Sequence, residues 1–144
     1  MLLKFPSYVW MKNFFFTAIL FFVTICSFGQ NLIGYNYNGI KKYMKENRQD
    51  MNSEKVINSA YSYIKYSDSG NSQTLLFFLN HDSICTSIRS VCDYSIKGEK
   101  VKAFDATYKK IDTNKWIDKR DGKDYLVEIR DEKWSFIILI EPSK

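Results

Sequence analysis

The chain has 144 residues, of which 45% are hydrophobic, 17% aromatic and 26% charged. This length suits a single domain, and the low Gly, Pro and Cys content excludes collagen-like chains and disulfide scaffolds. The aromatic content also excludes an intrinsically disordered chain. The formal net charge of +5 comes from interspersed basic and acidic residues, without the basic stripe that is typical of nucleic-acid-binding proteins. We therefore expect no nucleic-acid partner.

The N-terminal 29 residues have the features of a secretory signal peptide. Lys12 supplies a positive charge, residues 14–25 carry no charge, and Ser27 and Gly29 place small residues at the −3 and −1 positions of a cleavage site. Signal peptidases accept small residues at these positions. We therefore expect residues 1–29 to be removed and the protein to be periplasmic or secreted, with only a transient membrane contact through the signal peptide.

Three points about this segment stay open. Translation starts either at Met1 or at Met11, since the segment from Met11 alone has the proportions of a signal peptide. One alternative to cleavage is a retained membrane anchor, for which a spanning helix needs about 20 apolar residues. Another is a lipoprotein modified at Cys26, although bulky Ile25 precedes that cysteine. After cleavage, residues 30–144 form a single domain whose net charge falls from +5 to +3, because Lys4 and Lys12 are lost.

The first half of this domain predicts one helix followed by three strands. Asn36 is suited to cap a helix with apolar positions at Ile40, Tyr43 and Met44. The polar run 47–54 that follows predicts a loop. Residues 60–66, 74–79 and 84–92 are rich in strand-forming residues and are separated by turn residues, which predicts three consecutive antiparallel strands.

The second half predicts one helix and a terminal hairpin. Val101, Phe104, Tyr108 and Ile111 have helical spacing. Residues 113–123 are mostly polar and predict a loop, and residues 125–140 alternate as a hairpin does. No internal repeat appears. The predicted fold is therefore α+β, an antiparallel sheet of about five strands with two helices packed on one face, in the order α-β-β-β-α-β-β.

Cys85 and Cys92 are the cysteines that remain after cleavage, seven residues apart. On a continuous strand they would lie on opposite faces and about 23 Å apart. Two buried thiols are therefore expected, with a disulfide as the alternative if the strand bends. His81 is the sole histidine, and the pattern of a turn residue predicts that it is solvated. A small enzyme that uses Cys85 as nucleophile with His81 as base is the catalytic alternative.

The strongest indication of function is the excess of aromatic residues. Tyr61, Tyr63, Tyr66 and Trp116 are the candidate binding residues, because Tyr and Trp offer a large contact area at low entropic cost. The alternative is that tyrosines simply line half-exposed strands. The motifs of serine hydrolases and nucleotide-binding loops are missing from the sequence, and neither a cofactor nor a metal is expected.

The order of features resembles the small exported proteins of unknown function that are common in Bacteroidota. The features concerned are a leader ending in Gly-Gln, Gly34 followed by the Ile40-Lys-Lys-x-Met44 run, the run 75–80 with a Cys after the turn, Phe104 and Tyr108 on one helix, Trp116, and a terminal hairpin. The resemblance implies an exported α+β domain without catalytic residues. We expect a non-catalytic module that binds an unknown protein or a cell-envelope component; a membrane-anchored structural protein of the envelope is a further alternative.

Overall fold

The computed structural model describes residues 31–57 and 62–144, without the side chains of residues 55–57. The predicted signal peptide, residues 1–29, lies outside this description, and so does the candidate binding residue Tyr61. Within the described residues, no helix has the length and apolar character needed to cross a membrane.

The described chain forms two helices, one short 3-10 turn and eight strands. In chain order these are α1 (Tyr37–Asn47), β1 (Met51–Ile57), β2 (Ser62–Asp68), β3 (Gln73–Leu79), β4 (Cys85–Cys92), the 3-10 turn (Tyr94–Ile96), α2 (Lys97–Thr107), β5 (Lys109–Asp112), β6 (Lys115–Arg120), β7 (Lys123–Asp131) and β8 (Phe136–Pro142).

All eight strands belong to one open antiparallel sheet with the order β1-β2-β3-β4-β8-β7-β6-β5. Each half of the chain is a helix followed by four strands that pair in sequence. The two halves join where β4 pairs with β8, from Ile88 opposite Ile140 to Cys92 opposite Phe136. The topology therefore repeats once about the β4–β8 pair, although the sequence shows no repeat.

The predicted sheet of about five strands was wrong, since the structure has eight strands in the order α-β-β-β-β-α-β-β-β-β. Three strands were not predicted from the sequence. β1 was predicted as a loop, β5 as the end of a helix and β6 as a loop. Both β1 and β5 are edge strands, so polar side chains are tolerated on them and the hydrophobic pattern is weak. Between β6 and β7, Asp121 and Gly122 both have positive φ, at 51° and 72°, as a two-residue hairpin turn requires.

Both helices lie against the same face of the sheet. A cavity of about 70 Å³ is lined by Met44 of α1, Phe104 of α2 and the sheet residues Phe77, Ile88 and Ile138. The predicted first helix and its cap are confirmed, because the Asn36 side chain accepts a hydrogen bond from the Gly39 N–H at 2.8 Å. The second helix ends earlier than predicted, at Thr107, and Ile111 is exposed.

The segment that precedes α1 is part of the core. Asn31, Leu32 and Ile33 are buried. The Asn31 amide donates to the Asp118 carboxylate at 3.0 Å, and the Asn31 side-chain oxygen accepts from the Ile33 N–H at 3.1 Å. The Arg120 guanidinium on β6 donates to the Ile33 carbonyl at 2.7 Å. These contacts join the beginning of the domain to the strand next to the far edge of the sheet.

Candidate functional site

The structure separates the predicted aromatic binding residues instead of bringing them together on one surface. Tyr63 is partly exposed on the outer face of β2, where its ring lies 5.7 Å from that of Phe78. Tyr66 points to the inner face and is 4% exposed. Successive side chains of a strand alternate between faces, so two residues three positions apart cannot share one. Tyr66 therefore shares no exposed aromatic surface with Tyr63.

Trp116 is a core residue, which corrects its assignment as a binding residue. Its side chain is 0% exposed. The indole N–H donates to the Asp105 carboxylate at 2.8 Å, and the ring packs edge-on against Phe104 with centroids 5.4 Å apart. Trp116 lies on β6 opposite Val127 of β7. It therefore fills the space under α2 and takes no part in a surface.

Cys85 and Cys92 are both free and buried. The structure corrects the expectation that they lie on opposite faces. Leu79 pairs with Cys85 while Phe78 pairs with Ser87, so β4 contains one extra residue at this point. Such a bulge shifts the alternation of side chains by one residue, and it directs Cys85 to the same inner face as Cys92.

The surroundings of Cys85 do not favour a nucleophilic thiolate. Burial raises the pKa of the Cys85 thiol to about 12, which outweighs the opposite effects of the hydrogen bond with the Ser87 carbonyl and of the Arg120 charge. His81 lies in the exposed turn between β3 and β4. A catalytic thiol needs access to substrate and a lowered pKa, and Cys85 has neither.

A cleft of about 1120 Å³ lies between α1 and β1, and it is here called the α1–β1 groove. It is lined by helix residues, by the connection to β1, by the first residues of β1 and by one residue of β2: Lys41, Lys42, Met44, Lys45, Glu46, Arg48, Gln49, Met51, Asn52, Ser53 and Tyr66. Residues 48–50 join α1 to β1, and two of them, Arg48 and Gln49, line the groove.

Four of the residues that line the groove are basic and one is acidic. Lys41 and Lys45 are four residues apart, which places them along one flank of α1, and Arg48 is the residue that follows the helix. Lys41 and Lys45 are exposed, and neither forms an ion pair with a residue of the described part of the chain. Arg48 differs, because it makes two hydrogen bonds with Asp50, at 3.0 and 3.1 Å.

The groove has an apolar floor. Met44, Met51 and Tyr66 are buried beneath the lysines and line the groove. Burial raises the pKa of the Tyr66 hydroxyl, with a further contribution from Tyr37. In the connection between α1 and β1, the hydrogen bond from Arg48 lowers the pKa of the Asp50 carboxyl group. A ligand in the groove therefore meets cations along one wall and apolar side chains below.

The sequence contained part of the signal for this groove. The basic run of α1 is visible in the sequence, but a solvated helix face explains it equally well. The basic run lines a groove only because the first residues of β1 form the other wall. The sequence did not indicate this wall, because residues 47–54 were predicted to be a loop. Without β1 there was no second wall for the groove.

A second exposed feature lies in the turn between β7 and β8. Trp134, in the turn between β7 and β8, is 81% exposed, and the Lys133 ammonium lies 5.1 Å from its ring centre. The Tyr94 hydroxyl donates to the Glu132 carbonyl at 2.7 Å and holds this turn. Trp134 lines neither the α1–β1 groove nor the cavity beneath the two helices, so it is a weaker candidate than the groove.

Comparisons with known proteins identify no family. No protein-family model matches the chain, and no curated protein and no solved structure matches it. In the described ranges 31–57 and 62–144, no group of three or more His, Cys, Asp or Glu residues is arranged to hold a metal ion. The function is therefore inferred from the α1–β1 groove and the features around it.

Proposed function

We propose that this protein is an exported, non-catalytic binding module of the cell envelope that holds an anionic partner in the α1–β1 groove. The partner is a protein or an envelope component. The observation that carries the proposal is the pair of exposed lysines, Lys41 and Lys45, that lie above an apolar floor without an ion-pair partner in the described chain. Cations that converge on a groove raise the local concentration of anions.

Solvation alone is the competing explanation, because lysines are common on exposed helix faces. Lys45 also lies in the last turn of α1, where a positive charge interacts favourably with the helix dipole. Many charges elsewhere on this protein are neutralised within the fold, for example Lys97 by Asp131 at 2.6 Å and Lys110 by Asp105 at 3.0 Å. Other exposed lysines of the described chain, such as Lys102 and Lys109, form no ion pair either. What favours binding is therefore that Lys41 and Lys45 line a concave groove together with apolar side chains.

The proposal is tested with an anionic polypeptide as the probe. The full chain is expressed with its own leader in a bacterial host, purified from the exported fraction and titrated against fluorescently labelled poly-L-glutamate, with anisotropy as the measurement. Surface ion pairs contribute up to about 1 kcal/mol each. Replacing both lysines in Lys41→Gln/Lys45→Gln should therefore raise Kd about 5- to 30-fold.

The matched control is Lys102→Gln/Lys109→Gln. Lys102 and Lys109 are exposed and lie outside the groove, on α2 and β5, and the control lowers the net charge by the same amount. It should change Kd by less than about twofold, and both effects should shrink as salt screens the charges. Equal loss of binding in the two variants would show that only net charge matters and would refute the groove as the site.

The exported state has a separate test. Mass spectrometry of the purified protein should show a chain that starts at Gln30, because Gly29 ends the predicted leader. A retained leader would instead favour the membrane-anchored structural protein. This measurement is independent of the groove, so the location and the binding activity are judged separately.

A further inference from the structure

The strand β1 is an edge of the sheet that can accept another strand. It is seven residues long and pairs with β2 without interruption, from Met51 opposite Asp68 to Ile57 opposite Ser62. In the strand order of the described chain it has β2 on one side and no strand on the other. Backbone groups of an antiparallel strand alternate in direction, so three or four of the seven residues direct both N–H and C=O away from β2.

The strand at the opposite edge of the sheet, β5, is protected against pairing with a further strand, and β1 is not. β5 has only four residues, and its pairing with β6 shifts register between Lys110 and Asp112. Lys110 also forms an ion pair with Asp105 of α2. Short strands, bulges and charged side chains are the means by which proteins block edge pairing. β1 has the length and the regular pairing that β5 lacks.

The first three residues of β1, Met51, Asn52 and Ser53, line the α1–β1 groove, so the groove adjoins the beginning of this edge strand. A groove between a helix and an edge strand is the geometry in which an extended peptide adds to a sheet. Lys41 and Lys45 are one helical turn apart, about 6 Å along the axis of α1. Alternate side chains of a strand are about 6.8 Å apart, so acidic residues at every second position of an added strand match the two lysines.

We propose that the occupant of the groove is an extended acidic segment of another protein, which pairs with β1 as a ninth strand. Its acidic side chains at alternate positions face Lys41 and Lys45, and its backbone bonds to the free edge of β1. This inference rests on the proposed function and narrows the partner from any anionic component to a protein strand. Charge complementarity favours this occupant because four of the residues that line the groove are basic and only Glu46 is acidic.

The test uses a labelled synthetic peptide, acetyl-Glu-Val-Glu-Val-Glu-Val-Glu-amide, with the exported full-length protein. Two further peptides carry three N-methyl groups each, one on the amides of the three valines and the other on the amides of the last three glutamates. Only every second amide of an added strand faces β1. One methylated peptide should therefore lose binding by about tenfold or more, while the other binds within about twofold of the parent.

Amide hydrogen exchange supplies the second measurement. On addition of the parent peptide, every second amide of residues 51–57 should exchange more slowly, because these amides become hydrogen-bonded. Poly-L-glutamate and inorganic polyphosphate serve as two further anionic probes, of which only poly-L-glutamate has an amide backbone. Polyphosphate should produce no protection along β1, since it has no amide backbone to pair.

The outcomes separate this inference from the proposed function. Lysine-dependent binding in which both methylated peptides bind equally well, without protection of residues 51–57, would overturn strand addition and leave the groove as an anion site. Absence of binding by the peptide, poly-L-glutamate and polyphosphate together would overturn both. Selective loss with one methylated peptide, together with protection along β1, would establish the added strand.

Discussion

Replacing Trp116 by alanine should strongly destabilise the protein, which tests its placement in the core. The side chain is 0% exposed and packs against Phe104. A buried Trp removes about 150–250 Å² from water, which at about 25 cal/mol per Å² corresponds to about 4–6 kcal/mol. Measured Trp→Ala substitutions in cores cost about 3–5 kcal/mol. We expect Trp116→Ala to lower the free energy of unfolding by about 4 kcal/mol, a third or more of the total for many domains.

The assay is urea unfolding followed by far-UV circular dichroism, because the substitution removes a fluorophore. Trp134→Ala is the matched control: Trp134 is 81% exposed, so its loss should change the free energy of unfolding by less than about 0.5 kcal/mol. Trp116→Phe keeps a ring against Phe104 and loses the N–H donor, and it should fall between the two. A loss below about 1 kcal/mol for Trp116→Ala would refute the burial of Trp116 under α2.

Three further predictions concern the thiols, the N-terminal segment and the cap of α1. Burial raises the pKa of Cys85 from 9.0 to about 12; the unfolded chain therefore loses this proton first, and the free energy of unfolding falls as the pH rises from 9 towards 12. In urea unfolding at several pH values Cys85→Ala should show a shallower fall above pH 9, and an equal slope would contradict the burial. Asn31→Ala removes the hydrogen bond to Asp118 and should cost about 1–3 kcal/mol in urea unfolding. Asn36→Ala removes the cap of α1 and should lower the stability by about 1 kcal/mol, measured by thermal unfolding. Asn38→Ala, at an exposed position of α1, is the control for the two asparagine substitutions. A loss of stability in Asn38→Ala equal to that in Asn31→Ala or Asn36→Ala would refute the corresponding prediction.

The elements that were predicted well have a strong local signal. The cap at Asn36 depends on four neighbouring residues, and the confirmed α1 follows directly from it. The terminal hairpin alternates over β7 and β8, where Tyr125, Val127 and Ile129 face the core. Each side chain in these elements meets the core at the interval that its own secondary structure dictates. For such elements the spacing of hydrophobic residues is enough to predict the secondary structure from the sequence.

The strands that were missed have no such period. Of the residues of β6, Trp116 alone is buried, and Asp118 and Arg120 share its inner face because they bond to the segment 31–33. Those partners lie about 87 positions away in the sequence. Local periodicity contains no information about such a distant partner. The bulge beside Cys85 was likewise invisible, since it depends on how β3 and β4 pair.

The sequence by itself determined the leader pattern, the aromatic and basic composition, the first helix and the strong strands, because each depends on residues close in the chain. Only the tertiary structure decided which residues form a surface. It buried Tyr66 and Trp116, and it placed the lysines of α1 beside the free edge of β1. The physical reason is that the exposure of a side chain depends on which face of the sheet it lies on and on what covers that face. The pairing of a strand depends likewise on the other strands of the sheet, which are distant in the sequence.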